Sequence, residues 1–357
     1  MKILGIETSC DETAAAVVED GEKLLSNVVR SSLDIHVAFG GVVPEIAARS
    51  HIESIMPVIE QALREADCTW DEIDAIAVTY GAGLGGSLLV GVLTARTLAI
   101  AKNKPLYACN HVEGHIYVNF LTETVLEGYK LPQKAPEFPM LGLIVSGGHS
   151  QLVLWRGHFD YTLLGQTYDD AIGEAFDKVA KILGLPYPGG PSVSKKALEG
   201  DAFAYKFPKA KLDAKYGFSY SGVKTAVLRT AQKEIGKDHT FPSFELQHHL
   251  SEKQKADIAA SFQRIAVETV VDKTILAVEE FQPKSVVIGG GVAASPELRR
   301  QLAERLPPAG GLTSEYTDPK LCTDNGAMIA ALGCWQKKTG RATADPYALD
   351  IQPNLSM

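Results

Sequence analysis

Two histidines four residues apart, in Asn110-His111-Val112-Glu113-Gly114-His115, are the residues with the most obvious chemistry. On a helix that spacing turns both imidazoles to one side, where they can share a metal ion; unrelated polar histidines also fall at this spacing. Glu113 lies two residues after His111 rather than directly after it, so the base placement of an HExxH metallopeptidase is absent. Much later, Cys322-Thr323-Asp324-Asn325-Gly326 offers Asp324 as a third ligand, which would leave coordination positions open for substrate. The plainer role for Asp324 or Thr323 is to cap the helix that follows. Near the start, Asp11, Glu12 and Thr13 crowd two carboxylates and a hydroxyl onto one turn, as a polar turn or the edge of a nucleotide or metal cleft would.

Two glycine-rich turns could meet an anion. In Val145-Ser146-Gly147-Gly148-His149 the glycines would let backbone N–H groups approach a phosphate, or would serve an ordinary hairpin turn through positive φ. Gly289-Gly290-Gly291-Val292-Ala293-Ala294-Ser295 stands where a strand passes into a helix, and a nucleotide could pack on it. It does not fit G-x-G-x-x-G and comes late in the chain, which argues against a dinucleotide fold.

The elements that must position these residues alternate between strand and helix. Lys2–Ser9 and Ala14–Val18 read as a hairpin, and Met140–Ser146 and Ser150–Trp155 read as a second, looser copy of it. Ile46, Ala47, Ile55, Ile59, Ala62 and Leu63 follow a helical period, with Pro57 expected to kink or divide the helix. A strand over Ala75–Thr79 leads to a long apolar helix, and residues 122–138 look like a connection or surface loop. Ile258–Glu280 and Glu297–Leu306 read as helices either side of a strand at Ser285–Ile288. Mixed sheets in an α/β chain follow.

A length of 357 residues favours two lobes. The net charge of −8 disfavours a nonspecific nucleic-acid coat, yet residues 195–237 hold ten Lys or Arg against four Asp or Glu. Five cysteines without a C-x-x-C pair, and no hydrophobic leader segment, predict a soluble cytoplasmic protein with reduced thiols. The apolar run Leu88–Ala101, interrupted by Thr94, Arg96 and Thr97, is read as too short and polar to span a membrane.

Taken in order, Ile6–Thr13 (IETSCDET), Gly40–Glu45 (GGVVPE), Gly83–Gly91 (GLGGSLLVG), His111–His115 (HVEGH), Val145–His149 (VSGGH), Gly173–Lys178 (GEAFDK), Tyr187–Pro191 (YPGGP), Tyr220–Ala226 (YSGVKTA), Gly289–Val292 and Thr323–Ala327 (TDNGA) resemble the TsaD family of tRNA N6-adenosine threonylcarbamoyltransferases. The resemblance runs from Lys2 to about Leu332. It implies a two-lobed fold of the actin-like, sugar-kinase and Hsp70 ATPase type, with duplicated mixed-sheet lobes and an interlobe active site. Lobe one would be 1–110, completed by a C-terminal helix around 325–338; lobe two would be 111–324, and 339–357 an irregular tail. The implied reaction moves a threonylcarbamoyl group from threonylcarbamoyl-adenylate to N6 of the adenosine 3′ of the anticodon, in tRNAs reading codons that start with A, and releases AMP.

By position, the resemblance implies that His111, His115 and Asp324 hold one divalent metal, iron in preference to zinc. Val145, Ser146, Gly147, Gly148, His149, Asp177, Gly190, Ser194 and Ser295 would line the nucleotide of the donor. Asp11 and Glu12 would lie at the reacting centre, one of them a candidate base. It also implies tRNA, a TsaB-like paralogue and a TsaE-like ATPase as partners, with the basic stretch at 195–237 expected to form part of the tRNA surface. This chain departs from the pattern at Ser295, where Asn is usual, at Ser194, where Asp is frequent, and at Ala82, where Pro is usual. Two rivals are a metallopeptidase, disfavoured by the missing HExxH, and a non-catalytic ATP-binding switch, which would leave HVEGH and TDNGA without a purpose.

Overall fold

A computed structural model describes residues 1–306 and 312–357. In chain order its elements begin with β1 (Lys2–Glu7), β2 (Glu12–Glu19), β3 (Lys23–Ser31), α1 (Leu33–Val37), α2 (Pro44–Glu65), β4 (Ala75–Gly81), α3 (Gly85–Lys102), β5 (Leu106–Asn110), α4 (His111–Tyr117) and β6 (Glu123–Thr124). They continue with β7 (Met140–Val145), β8 (Ser150–Gly157), β9 (Asp160–Gln166), α5 (Ile172–Leu183), α6 (Gly189–Ala197), α7 (Ser221–Glu234), α8 (Glu252–Phe281), β10 (Ser285–Gly289), α9 (Pro296–Arg305) and α10 (Gly326–Lys338). The chain divides into two compact units: 1–137 with 287–289 and 315–357, and 138–286 with 290–314.

The first unit is built on a sheet of order β5-β4-β1-β2-β3-β6. β1 pairs antiparallel with β2 and parallel with β4, which pairs parallel with β5. Strands covered on both faces must be apolar throughout, and Ala75–Val78 are fully buried. Alternation along β1 sorts its side chains. Leu4 and Ile6 join Ile55, Val58, Ile59, Val92 and Ala95 of α2 and α3 in one core. On the opposite face Gly5 admits α10: a Cβ there would lie 2.3 Å from the Ala330 nitrogen.

Pro57 does not divide α2; the helix runs from Pro44 to Glu65 with the proline inside and exposed. The missing N–H is outweighed by the face around it, where Ile55, Val58, Ile59 and Ala62 are buried. The apolar run at 88–101 is longer than it reads. α3 has 18 residues and, among the described residues, is the helix that is long and apolar enough to cross a membrane. Its Leu88, Val92, Ala95 and Ala99 side is spent on the core of the first unit.

Residues 339–357 form neither helix nor strand of any length, but they are tied down along their course. Ala344 bridges to Leu106, and the Arg96 guanidinium donates to the carbonyls of Pro346, Leu349 and Tyr347 at 2.6, 3.1 and 2.8 Å. The Tyr80 carbonyl accepts from Gln352 N–H, and Asn110 Nδ2 donates to the Ser356 carbonyl.

A four-stranded sheet has the order β10-β7-β8-β9, and its β7, β8 and β9 form an antiparallel meander within the second unit. Its apolar interior includes Trp155, Phe176, Phe218 and Phe262. The expected internal repeat is visible in strand lengths. β1 and β7 have six residues each and β2 and β8 eight each, with turns of equal length at 8–11 and 146–149. The unit boundaries differ from the sequence expectation: 111–137, 287–289 and 315–324 belong with the first unit, not with a second lobe at 111–324. The reason is packing. α4 lies on α10 so closely that a Cβ at Gly114 would meet Ile329 at 3.0 Å.

Candidate metal centre and glycine turns

β5 delivers the chain to α4 at Asn110, whose Oδ1 accepts the N–H groups of Val112 and Glu113 at 2.8 and 3.5 Å and so caps the helix. Every residue of α4 is buried. His111 and His115 face one another edge to face, with ring centroids 4.7 Å apart. Asp324 reaches both: its Oδ1 lies 3.5 Å from His111 Nε2 and 3.3 Å from His115 Nε2. Capping of α10 belongs to neither Asp324 nor Thr323. Asn325 does it, accepting the Met328 N–H at 3.1 Å, because its side chain is one residue closer to the first turn. The carboxylate of Asp324 lies against the histidines instead.

The ligand atoms of His111, His115 and Asp324 all lie within 4.8 Å of one another. Neither ring nitrogen of His115, which is buried, has a hydrogen-bond partner among the described residues. An orphaned buried imidazole beside a carboxylate is what a ligand set looks like without its cation, and two imidazoles with one carboxylate suit iron or zinc. The surroundings are acidic. Burial, then Asp324, then Asp11 push the Glu12 carboxyl up to about 9. Burial opposes protonation of His111, but Asp324 and Glu7 outweigh it and raise the imidazole to about 9. Burial, Asp324 and Asp11 also push the Cys10 thiol far up, so it is no thiolate nucleophile.

Asp11 and Glu12 stand where the first hairpin enters β2. Asp11 is buried and its carbonyl accepts the Ser32 hydroxyl at 2.9 Å; Glu12 accepts weakly from Ser31. Glu7 and Asn110 were not singled out as site residues in the sequence. Asn immediately before HVEGH is a capping signal, and a carboxylate ending the apolar run Ile3–Ile6 is a visible anomaly.

The nucleotide candidates lie in the second unit. Val145 is buried at the end of β7; the Ser146–His149 turn closes with Ser146 N–H to the His149 carbonyl and His149 N–H to Ser146 Oγ, at 2.8 and 3.0 Å. Neither Gly147 nor Gly148 has positive φ, and a Cβ on either would meet nothing within 4 Å. Open space, not backbone strain, is what these glycines supply. Gly290, at φ 90°, brings its backbone to the Val145 carbonyl, so the two turns meet. Gly289 makes room for α4 instead, since a Cβ there would lie 2.3 Å from the His115 carbonyl. Asp177 Oδ1 accepts the Gly189 N–H at 2.6 Å, tying α5 to the start of α6, where Gly190 is open and Ser194 half-buried. Ser295 caps α9 through the Leu298 N–H.

Much of the basic stretch is neutralised. Lys209 pairs with Glu268 and Asp272, Lys215 with Glu280, and Lys196 with Glu199 and Glu252. The acids of α8 come from outside 195–237, which is why the local charge count overstates the positive surface. Lys206 and Lys211 are exposed and make no ion pair among the described residues.

Two mixed sheets with helices between strands and a repeated hairpin define the class: the actin-like ATPase and sugar-kinase fold. In keeping with this, the chain is similar to a solved HypF structure in its phosphate- and nucleotide-bound form, at TM-score 0.53 and 14% identity over 94% of this chain and 55% of that one, a likeness of fold alone. The family model of TsaD, tRNA N6-adenosine threonylcarbamoyltransferase, matches residues 23–331. Curated proteins of that name are 48% identical in Thermomicrobium roseum, over all of this chain and 97% of the relative, and 49% identical in Symbiobacterium thermophilum, over 95% and 92%. The chain belongs to this family and is a tRNA N6-adenosine threonylcarbamoyltransferase.

Proposed function

We propose that the chain takes threonylcarbamoyl-adenylate as donor and the adenosine 3′ of the anticodon as acceptor, in tRNAs reading codons that start with A, and works with one divalent metal, iron or zinc. The observation that carries the metal is the convergence of His111, His115 and Asp324 around orphaned His115 nitrogens. N6 attacks the carbamoyl carbonyl carbon; the new N–C bond forms as the C–O bond to phosphate breaks, and AMP leaves with that electron pair. The N6 proton passes to the carboxylate of Asp11 or Glu12; Asp324 and Asp11 both act electrostatically on Glu12. When bound, the ion supplies positive charge for donor oxygens and the leaving phosphate. His111, His115 and Asp324 would hold it, and the open backbone at Gly147 and Gly148 would face the nucleotide, with Ser146, His149, Asp177, Gly190, Ser194 and Ser295 as further contacts.

The same reading carries a TsaB-like paralogue and a TsaE-like ATPase as partners and a cytoplasmic setting. Exposed Ile52 and Met56 on α2, with Leu89 and Leu93 on α3, suit an apolar partner face, and none of the five cysteines is in a disulfide. The test is transfer to unmodified tRNA from purified donor, with and without metal stripping, reading modified nucleoside and AMP by mass spectrometry. Equal amounts of both products are expected from the metal-loaded protein with its partners. No transfer under those conditions, or undiminished transfer after stripping, would overturn the reading.

A further inference from the structure

We infer that Glu7 is a positioning residue for the metal centre, holding His111 in the tautomer that leaves its Nε2 free to ligate. The inference rests on the metal reading above. Glu7 ends β1 with 0% of its side chain exposed. Its Oε1 accepts the Ser9 N–H at 2.5 Å, and its Oε2 accepts the Thr79 hydroxyl at 2.5 Å. That same Oε2 lies 3.3 Å from His111 Nδ1, with Ser9 Oγ 3.0 Å from the same nitrogen. The other ring nitrogen, Nε2, points at Asp324. Two fixed donors therefore aim the carboxylate, which accepts a hydrogen bond from Nδ1–H with Ser9 Oγ beside it. A line of carboxylate, imidazole and cation fixes both ring orientation and basicity. His115 has no such support, since its Nδ1 is unpartnered. The two histidines are thus unequal: His111 is held in advance through its Nδ1, and His115 has no hydrogen bond on that side.

Glu7→Gln is the informative change because the Ser9 N–H dictates how the amide sits. Its oxygen must take the Oε1 position, which puts the NH2 opposite His111 Nδ1. An NH2 there donates to Nδ1, moves the ring proton to Nε2 and removes the lone pair a metal needs. Zn2+ affinity, measured by chelator competition on the full chain, should fall by about 10–100-fold. Thr79→Val, which loosens the carboxylate without altering it, should weaken Zn2+ a few-fold. Melting of the metal-free proteins is measured in parallel. If Glu7 only supports the fold, Glu7→Gln melts lower while its Zn2+ affinity stays within twofold of the unsubstituted protein, and the inference is overturned. Should Glu7→Gln not fold, Thr79→Val decides, and unchanged affinity overturns the inference. If the unsubstituted protein binds no Zn2+, the metal reading falls as well, which distinguishes the two failures.

Discussion

At the scale of single residues, neighbours in sequence have been given separate work. Asn325 caps α10 and Asp324 faces the histidines, so substituting them should give opposite results. His111→Ala, His115→Ala and Asp324→Ala should each lose metal, read by elemental analysis. Asn325→Ala should keep its metal and lose about 1 kcal/mol of stability in thermal or denaturant unfolding. Stoichiometric metal in all three ligand variants would refute the assignment. The pairing of His111 with His115 was legible from spacing, because helical geometry is local. That Asn325 rather than Asp324 caps α10 was not, because Asp and Asn are both good caps and only backbone coordinates decide which is used. Likewise Gly289 reads as half of a phosphate turn, whereas its role is set by the carbonyl of His115, remote in sequence.

At the scale of elements, strands and helices were legible where periodicity was strong: both hairpins, β4, α8 and β10 lie where the pattern put them. What failed was a local rule set against tertiary packing, as with Pro57 in α2. In the second unit one carboxylate joins two helices. Asp170 accepts from Lys178 of α5 at 2.6 Å and from Lys224 of α7 at 2.7 Å. Burial alone would raise its carboxyl, but those two lysines hold it below the ordinary aspartate value. A carboxyl depressed on folding stabilises the folded state above its unfolded value, near pH 4, and that contribution is lost as pH falls through the lower folded value. Asp170→Asn should therefore lower the melting temperature at pH 7, with the gap to the unsubstituted protein closing as pH falls through the depressed folded value. A gap independent of pH would show that the ion pairs contribute nothing.

At the scale of the whole molecule, charge separates by surface. Counted along the chain, 195–237 is a basic block; once α8 is in place, Lys209 and Lys215 are satisfied and Lys206 and Lys211 remain open. Lys206→Ala with Lys211→Ala should weaken tRNA binding and flatten its salt dependence by roughly one unit of slope for each phosphate no longer neutralised. Lys209→Ala with Lys215→Ala should change the slope less; binding titrations at several salt concentrations compare them. Equal slopes for all variants would remove this surface from the tRNA path. The first unit, finally, closes on itself from opposite ends of the sequence: Gly5 of β1 rests against Ala330 of α10. During translation that strand emerges early and its covering helix late. At about 5–20 residues per second, β1 waits roughly 15–70 s for α10, its apolar face uncovered. The histidine helix α4, which rests on α10, waits with it. The second unit, 138–286 and 290–314, is fully synthesised before α10 exists, so it can fold first, and the metal centre cannot form until Asp324 and α10 have been made.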